Sequence, residues 1–415
     1  MSNVQLTGMP YVPGTAHGIL QRGLTESATG RLVLLEGAPA GPVDPAPAGF
    51  VVVDGAPFSH ALVPLLGSGV PTVIITPDQA RALHEGQELA LDGASGLITS
   101  DLKRIMPATA PTMSAAGCTT ADGQGVCLRV SARDTRSVRR AVEKGAESIG
   151  LVRSEFLVPG DGRPPDAAFY RRAFRDACEA AAGRPVTIRL FDLAADKRPS
   201  WLPRSFTAGV LGLQGVRLYR EAPLQGIYRA QLEAIDALAG EFSLRVLLPY
   251  VADTAEVIQW CSDVRTRLSR PLPVGVMAET PAATLAIANW LDTADFVAIG
   301  CNDLMQCLFG TDRDRPELAR YLDPHAPALY RFLQQVAGVA GAQRDAVQLC
   351  GVLPQLPGVL PVLLGLGFRV FSVEANQLPW LVQAAAGVMV RDARAVAKRV
   401  CDARDADTAA HCFTV

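Results

Sequence analysis

Several polar residues in the second half of the chain each follow a short apolar run, and their types suit one chemistry. They are Arg153, Arg189, Asp192, Glu279, Asn302, Asp303 and Cys350. Two arginines can present several hydrogen-bond donors to an oxyanion. Two carboxylates suit Mg²⁺, which keeps few protein ligands and takes the rest from substrate and water. Together these residues predict a site for a phosphorylated carboxylate.

Taken singly, each of these residues has a structural interpretation. An arginine at the end of a strand is commonly a salt-bridge residue, and Glu279 alone could be structural. A buried cysteine such as Cys350 is commonly a small apolar side chain. The joint occurrence of these residues at the ends of consecutive strands is what favours chemistry.

His60 is the candidate from the first half of the chain, within the segment GAPFSHALVPLLGSGVPTV. Gly, Pro and Ser precede it and an apolar helical pattern follows, which predicts a position near a helix N-terminus. Backbone N–H groups and the helix dipole favour an anion there, including a phosphoryl group on the ring. The same local pattern fits a structural or capping histidine equally well.

The elements that must position these residues are strands that alternate with helical patterns after residue 125. The strand candidates are VCLRVSA, SIGLVRS, VTIRLFDL, RVLLPYV, PVGVMAE, FVAIGCN, VQLCGVL and RVFSVEA. The alternation predicts an α/β fold with a closed (β/α)₈ TIM barrel over residues 124–404. In such a barrel the active site lies at the carboxyl ends of the strands. The connection over residues 194–244 is long enough to require extra structure.

The regions outside the predicted barrel differ from it in residue composition and in the spacing of their apolar runs. Residues 1–105 hold short apolar runs between Gly and Pro turns, which predicts a small N-terminal β/α domain. Residues 106–123 are small, polar and Pro-containing, as is typical of a linker. Residues 405–415 are predicted to form a polar tail.

Composition limits the partners and the setting of the protein. The 39 Lys and Arg residues nearly balance the 41 Asp and Glu residues, which argues against nucleic acid or a membrane as a partner. Nine cysteines without metal-binding spacing indicate reduced thiols in a cytoplasm. The chain opens without a signal-peptide pattern. The apolar stretch 347–373 contains three prolines and predicts two buried strands with a short helix between them.

The motifs of the chain, taken in order, resemble those of the phosphoenolpyruvate (PEP)-utilising enzymes, and most of all enzyme I of the bacterial sugar phosphotransferase system. The resemblance covers nearly the whole chain. It rests on GMPYVPGTAHGIL, SHALVPLLGSGVPTV, GAESIGLVRSEFL, VTIRLFDLAADK, MAETPAA, AIGCNDLMQ, TDRD, DPHAPAL, LCG and PVLLGLGF. Several of these motifs are weak alone, but their common order argues against a generic barrel.

The resemblance implies that His60 is the phosphorylated residue of a swivelling domain and that Cys350 exchanges a proton with the methylene carbon of the substrate. The substrate and its cation would be held by Arg153, Arg189 and Arg313 on phosphate and carboxylate, Asn302 on the phosphate, and Glu279 and Asp303 on Mg²⁺. PEP would phosphorylate His60 and release pyruvate, and an unknown protein or small molecule bound in trans would accept the phosphate. A cytoplasmic homodimer paired through the barrel is also implied.

The sequence departs from the family pattern at four positions, where Ala56, Phe58, Gln214 and Val352 replace Gly, Thr, Arg and Glu. Gln214 lies in LGLQGVR, in which Arg217 is retained. Loss of one phosphate-binding arginine costs roughly 1.5–3 kcal/mol, or about ten- to a hundredfold in affinity. The departures therefore leave the identity of the substrate open.

Two parts of the related enzymes are not expected in this chain. Residues 22–54 are too few for the helical insertion with which enzyme I docks its carrier protein. The large nucleotide-binding domain of PEP synthase and pyruvate phosphate dikinase also has no counterpart in the sequence. We therefore expect a phosphohistidine domain and a barrel without a built-in third site.

Two alternatives to a phosphotransferase stay open from the sequence. One is a divergent protein that senses PEP or a related metabolite without turnover, which Gln214 and Val352 favour. The other is a pyruvate-forming barrel lyase that cleaves C–C or C–P bonds. In a lyase of that kind His60 would be idle.

Overall fold

The computed structural model describes residues 4–25, 28–37, 46–106, 111, 117–159, 162–193, 199, 201–202 and 211–413. Within these ranges the chain forms an N-terminal sheet followed by a closed barrel of parallel strands surrounded by helices. The predicted α/β class, with a (β/α)₈ barrel and a smaller N-terminal domain, is confirmed. The domain boundaries proposed from the sequence stay predictions.

The N-terminal sheet is built from eight short strands. They are β1 (Gln5–Thr7), β2 (Met9–Val12), β3 (Thr15–Arg22), β4 (Leu32–Glu36), β5 (Gly49–Val53), β6 (Thr72–Ile75), β7 (Glu88–Asp92) and β8 (Leu97–Thr99). Their order in the sheet is β1-β8-β7-β3-β4-β5-β6-β2, with β3 to β6 parallel and the remaining pairs antiparallel. The all-buried pattern of β5 and β6 fits their positions inside the sheet, where each has a strand on both sides.

Two short helices, α1 (Val63–Ser68) and α2 (Pro77–Ala80), flank β6. The first carries Pro64 in its opening turn, where a missing backbone N–H costs nothing. It ends at Gly69, whose φ of 72° is a left-handed conformation that favours glycine. His60 lies in the turn just before α1 and not within the helix.

The barrel contains eight parallel strands, and each overlaps one of the eight predicted runs. They are β9 (Cys127–Ala132), β10 (Ile149–Arg153), β11 (Val186–Arg189), β12 (Leu244–Val251), β13 (Val274–Ala278), β14 (Phe296–Gly300), β15 (Val347–Cys350) and β16 (Val370–Glu374). Each strand pairs with the next, and β16 pairs with β9 to close the ring. Their carboxyl ends therefore lie on one face.

Twelve helices follow in the described residues: α3 (Thr135–Glu143), α4 (Ala167–Ala180), α5 (Leu224–Leu238), α6 (Thr254–Arg267), α7 (Pro281–Leu285), α8 (Ile287–Trp290), α9 (Cys301–Phe309), α10 (Pro327–Ala340), α11 (Val359–Leu366), α12 (Leu378–Ala386), α13 (Val390–Asp402) and α14 (Ala406–Ala410). Asp134, Asp166 and Asp253 cap α3, α4 and α6 by accepting a backbone N–H from the first turn. Each such cap stabilises its helix by about 1 kcal/mol.

The 3-10 turn Ala375–Gln377, which follows β16, contacts the N-terminal domain through two side-chain amides. Asn376 Nδ2 donates to the Gly67 carbonyl at 2.7 Å, and Gln377 Nε2 donates to the Leu66 carbonyl at 3.0 Å. Gln377 is only 1% exposed. These bonds satisfy carbonyls in the last turn of α1, so the helix that follows His60 is held against the barrel.

The remaining predictions have mixed outcomes. The stretch 347–373 forms β15, α11 and β16, as predicted. None of the helices in the described ranges has the length and apolar character needed to cross a membrane. The described part of the long connection holds a 3-10 helix, Gly215–Arg220, and then α5. Parts of that connection and of the predicted linker lie outside the described residues.

The segment predicted as a tail has structure of its own. It carries α14, which is capped by Asp405. Beyond that helix Phe413 is buried and lies against the rings of His325 and Tyr330, with centroid distances of 4.8 and 5.3 Å. A single aromatic residue therefore anchors the end of the described chain to α10.

Candidate active site

A cavity of about 320 Å³ lies where the carboxyl ends of the barrel strands face the N-terminal domain. It brings together eight of the residues that the sequence singled out for chemistry: His60, Arg153, Arg189, Glu279, Asn302, Asp303, Arg313 and Cys350. Asp192, the ninth, is not among the lining residues. Further lining residues include Ser131, Arg133, Phe156, Met277, Gln355 and Glu374. The convergence of basic, acidic and thiol side chains in one enclosed space is typical of an active site.

Arg153 and Arg189 stand side by side because they end neighbouring strands in register. Between them lies the buried carboxylate of Glu155, whose Oε1 accepts from Arg153 Nε at 3.0 Å and also from Arg189 Nη2. Asp192 pairs with Arg189 at 3.3 Å. These carboxylates hold two like charges in one buried place, so the two guanidinium groups have fixed positions for an anionic ligand.

Burial and the neighbouring charges shift the pKa values of these two arginines in opposite directions. Burial lowers the pKa of Arg153, and repulsion from Arg189 adds to that. Burial also opposes the charge on Arg189, but Glu155 and Asp192 outweigh it and raise the pKa of Arg189. Both side chains remain donors throughout the physiological range, as an oxyanion site needs.

Glu279 lies directly after β13 and is 3% exposed. Its Oε2 accepts the backbone N–H of Tyr250 at 3.1 Å. Burial and repulsion from Asp303 and Asp192 outweigh the attraction of Arg189, and they raise the pKa of Glu279 to about 8. A cation near the Glu279 and Asp303 carboxylates would relieve that repulsion.

The donor set fits a magnesium ion better than a softer metal. In the described residues no group of three or more His, Cys, Asp and Glu side chains is placed to hold a metal ion. Two carboxylates are nevertheless the usual protein contribution at a Mg²⁺ site, where substrate and water oxygens supply the rest. Glu279 and Asp303 are the residues that could hold it.

Two glycines lie at strand ends where a neighbouring side chain comes too close to the backbone for a Cβ atom to fit. A Cβ on Gly300 would overlap Glu279 Oε1. Gly351 has a φ of 101°, and a Cβ there would lie 2.6 Å from Asn302 Oδ1. The same Asn302 oxygen accepts the backbone N–H of Val352 at 2.8 Å. Glycine at both positions lets Glu279 and Asn302 sit close to the β14 and β15 ends.

Cys350 ends β15 and is 4% exposed. Its Sγ donates to the Ile299 carbonyl at 3.1 Å. Burial raises the pKa of the Cys350 thiol well above its usual range, and the Cys301 and Glu279 groups raise it further. The side chain is therefore a protonated thiol and not a thiolate nucleophile.

His60 reaches this cavity from the N-terminal domain and contacts two consecutive residues of the segment after α9. Its backbone N–H donates to Asp314 Oδ1 at 2.9 Å, and its Nδ1 lies 2.9 Å from Asp314 Oδ2. Its Nε2 lies 2.7 Å from Arg313 Nη2. Arg313 also donates to the Phe58 carbonyl at 3.0 Å and pairs with Asp303 at 3.2 Å. The sheet domain and barrel thus meet at the histidine ring.

The four departures from the family pattern lie in different surroundings. Ala56 is buried, and its carbonyl accepts the Ser59 hydroxyl at 2.8 Å. Phe58 is buried, and its carbonyl accepts from Arg313. Val352 donates its backbone N–H to Asn302, and its side chain is buried. Gln214 and Arg217 do not line the cavity. Arg217 instead lies 3.8 Å from Glu256.

Residue-by-residue reasoning missed Glu155, Asp314 and Glu374. The first two lie inside the quoted motifs GAESIGLVRSEFL and TDRD, so their motifs were noticed but their side chains were not singled out. Glu374 ends β16, in the last predicted run, and lines the cavity. Burial raises its pKa. Glu374 could have been predicted from the sequence, because it is a polar residue at the end of a predicted strand.

Comparison with known proteins points to one family. The model of the family described as PEP-utilising enzyme, PEP-binding domain matches residues 108–390. A phosphoenolpyruvate-protein phosphotransferase of Streptomyces coelicolor is 33% identical over 347 residues, covering 80% of this chain and 62% of the relative. One from Haloferax volcanii is 28% identical over 374 residues, covering 86% and 66%. Multiphosphoryl transfer protein 1 of Escherichia coli is 26% identical over 388 residues, covering 86% and 46%. The chain thus spans less than two thirds of the length of each of these relatives.

Proposed function

Because the chain belongs to the family of PEP-utilising enzymes, we propose that it moves the phosphoryl group of PEP to His60 and from there to an acceptor. One observation carries the proposal. His60, which the N-terminal domain supplies, lines the same cavity as the arginines and carboxylates at the barrel strand ends. In a pyruvate-forming lyase this placement of His60 would have no use.

The arginines bind and orient the substrate in this proposal. Arg153 and Arg189 lie side by side at the strand ends and receive the anionic groups of PEP. Arg313 lies next to His60 Nε2 and faces the phosphoryl group as it is transferred. Phosphoryl transfer depends mainly on positioning and charge neutralisation, which guanidinium groups supply.

Glu279 and Asp303 hold Mg²⁺ in this proposal, with Asn302 contacting the phosphate beside them. The ion, when bound, neutralises charge on the phosphate and enolate oxygens. The Tyr250 N–H bond holds the Glu279 carboxylate, and the Arg313 pair holds that of Asp303, so these two residues would be in position to hold the ion.

His60 and Cys350 carry the bond changes. When PEP is bound, Arg313 Nη2 leaves the His60 Nε2 lone pair and donates to a phosphoryl oxygen instead. The freed lone pair forms the N–P bond while the bond from phosphorus to the enol oxygen breaks, and that oxygen keeps the electron pair. The protonated Cys350 thiol then gives its proton to the methylene carbon, which yields pyruvate. A raised thiol pKa suits a donor of this kind, because the proton is present before the enolate forms.

The names of the relatives support a protein as the acceptor, reached in trans after the His60 domain swings away from the barrel. The name phosphoenolpyruvate-protein phosphotransferase describes transfer from PEP to a protein in those relatives. A homodimer paired through the barrel belongs to the same proposal, and light scattering of the purified chain tests it.

Labelling with radioactive PEP tests the phosphotransfer proposal. With Mg²⁺ we expect acid-labile label on the protein and one pyruvate released per phosphate bound. His60→Ala should abolish the label, because it removes the accepting nitrogen. His325→Ala, a change at a histidine outside the cavity, should keep it. An unlabelled wild-type protein would sink the proposal.

A further inference from the structure

Two consecutive side chains of the segment after α9 contact both nitrogens of the His60 ring. Asp314 reaches Nδ1 at 2.9 Å and also accepts the His60 backbone N–H at 2.9 Å. Arg313 reaches Nε2 at 2.7 Å. The Asp314 backbone N–H donates to Asp312 Oδ1 at 3.0 Å, which holds the segment in its turn. The ring is therefore fixed in both position and rotation.

The chemistry of these partners determines the tautomer of His60. An ionised carboxylate only accepts hydrogen bonds, so the proton lies on Nδ1. A guanidinium group only donates, so Nε2 presents its lone pair. The assignment follows from the partners rather than from observed hydrogens. It places the nucleophilic lone pair on the nitrogen that faces the arginine of the cavity.

We propose that Asp314 is a positioning residue for His60, whose carboxylate holds the Nδ1–H tautomer and aims Nε2 at the phosphoryl group. The inference rests on the proposed phosphoryl transfer to His60. As the N–P bond forms, the bond from phosphorus to the enol oxygen breaks and the enolate leaves with that electron pair. The ring keeps its Nδ1 proton and becomes cationic. An ionised carboxylate hydrogen-bonded to that N–H stabilises the cation.

Asp314 has the charge that this role requires. Burial by itself would raise the pKa of Asp314, but the hydrogen bonds from His60 outweigh it and lower that pKa to about 2. The carboxylate is therefore ionised at any pH at which PEP transfer would be measured. Arg313 is a second charged group in contact with the ring, and it pairs in turn with Asp303.

Asp314→Asn tests the role with little change in shape. The asparagine amide can turn to donate to Nδ1, which favours the opposite tautomer and removes the negative charge. We expect the rate of His60 labelling at saturating PEP to fall by about a hundredfold or more, as where a histidine loses the carboxylate that orients it. The PEP concentration for half-saturation should stay close to that of the wild type. Asp314→Glu should recover part of the rate.

A matched control is available in Asp323, which forms a similar pair with His325 at 3.3 Å and does not line the cavity. Asp323→Asn should label at the wild-type rate. Nitrogen-15 spectra of the histidine rings, with His60→Ala to assign the signal, should show the Nδ1–H form in the wild type. The Asp314→Asn spectrum should shift towards the Nε2–H form, which a purely structural role would not cause.

The outcomes separate this inference from the proposed function. Label on the wild type, with Asp314→Asn equal to Asp323→Asn in rate and in ring tautomer, would overturn the role of Asp314 alone. No label on the wild type would overturn the phosphoryl transfer and this inference with it. A slow Asp314→Asn variant whose ring spectrum is unchanged would also overturn the inference, because the tautomer would then have another cause.

Discussion

The surroundings of Cys350 determine whether its thiol acts as a nucleophile or as a proton donor. A thiol can attack as a thiolate or donate as an acid, and the pKa decides which form is present. Here burial at the end of β15 raises that pKa, and the Ile299 carbonyl accepts the S–H. The arrangement favours proton donation to carbon and disfavours covalent catalysis.

Cys350→Ala should therefore separate proton transfer from substrate binding. We expect pyruvate formation from PEP, followed by rapid quench, to slow by about 10²–10⁴-fold, the usual contribution of a general acid. PEP affinity measured by calorimetry should hardly change, because the arginines bind its anionic groups. The control is Cys178→Ala, which removes an equally buried thiol from α4. Equal rates for the two variants would contradict the assigned role.

At the scale of elements, the ends of the barrel strands position the charged side chains of the cavity. Glycines at those ends leave space for a charged side chain to lie close to the neighbouring backbone. Gly300 is the last residue of β14, and its missing Cβ leaves the space that Glu279 Oε1 occupies. Its φ of −81° is open to any residue. Space, and not backbone conformation, is therefore what requires glycine at this position.

Gly300→Ala should displace the Glu279 carboxylate and weaken Mg²⁺ binding. We expect the Mg²⁺ concentration for half-maximal labelling of His60 to rise by about 10–100-fold, as when the support of a metal ligand is lost. Gly338→Ala is the control, because a Cβ there meets nothing within 4 Å. That exposed change within α10 should leave the Mg²⁺ requirement alone and raise the free energy of unfolding by about 0.5–1 kcal/mol. An unaltered Mg²⁺ requirement in Gly300→Ala would contradict a metal role for Glu279.

The strands and the turn that holds Asp314 also show which parts of the fold and of the site could be predicted from the sequence. The barrel strands were predictable because buried parallel strands read as continuous apolar runs, and polar residues at their ends, such as Arg189 and Glu279, stand out against them. The partners of His60 were not predictable from pattern. Arg313 was proposed only through the family resemblance, and Asp314 lies in a turn without periodicity. The 254-residue separation from His60 to Asp314 is bridged only by the tertiary fold.

At the scale of the whole molecule, the site exists only while the N-terminal domain rests on the barrel. One buried apolar cluster includes residues of both domains, and Arg313 donates to the Phe58 carbonyl. Two further groups of polar contacts join the domains in the described residues. One is the ring of His60 with Arg313 and Asp314, and the other is α1 with Asn376 and Gln377. Delivery of phosphate to an acceptor in trans would need both groups to separate. Asn376 and Gln377 lie outside the cavity lining, so they can be altered without touching the reacting atoms.

Gln377→Ala should shift the protein away from the docked arrangement without changing PEP binding. It leaves the buried Leu66 carbonyl without its donor, which costs about 1 kcal/mol or more and lowers the ratio of docked to undocked protein about fivefold or more. Hydrogen exchange of α1 amides should become faster, and the rate of His60 labelling should fall, while calorimetric PEP affinity stays the same. Gln383→Ala, an exposed change in α12, should match the wild type in all three. Unchanged exchange in α1 would show that the amide contacts do not hold the two domains together.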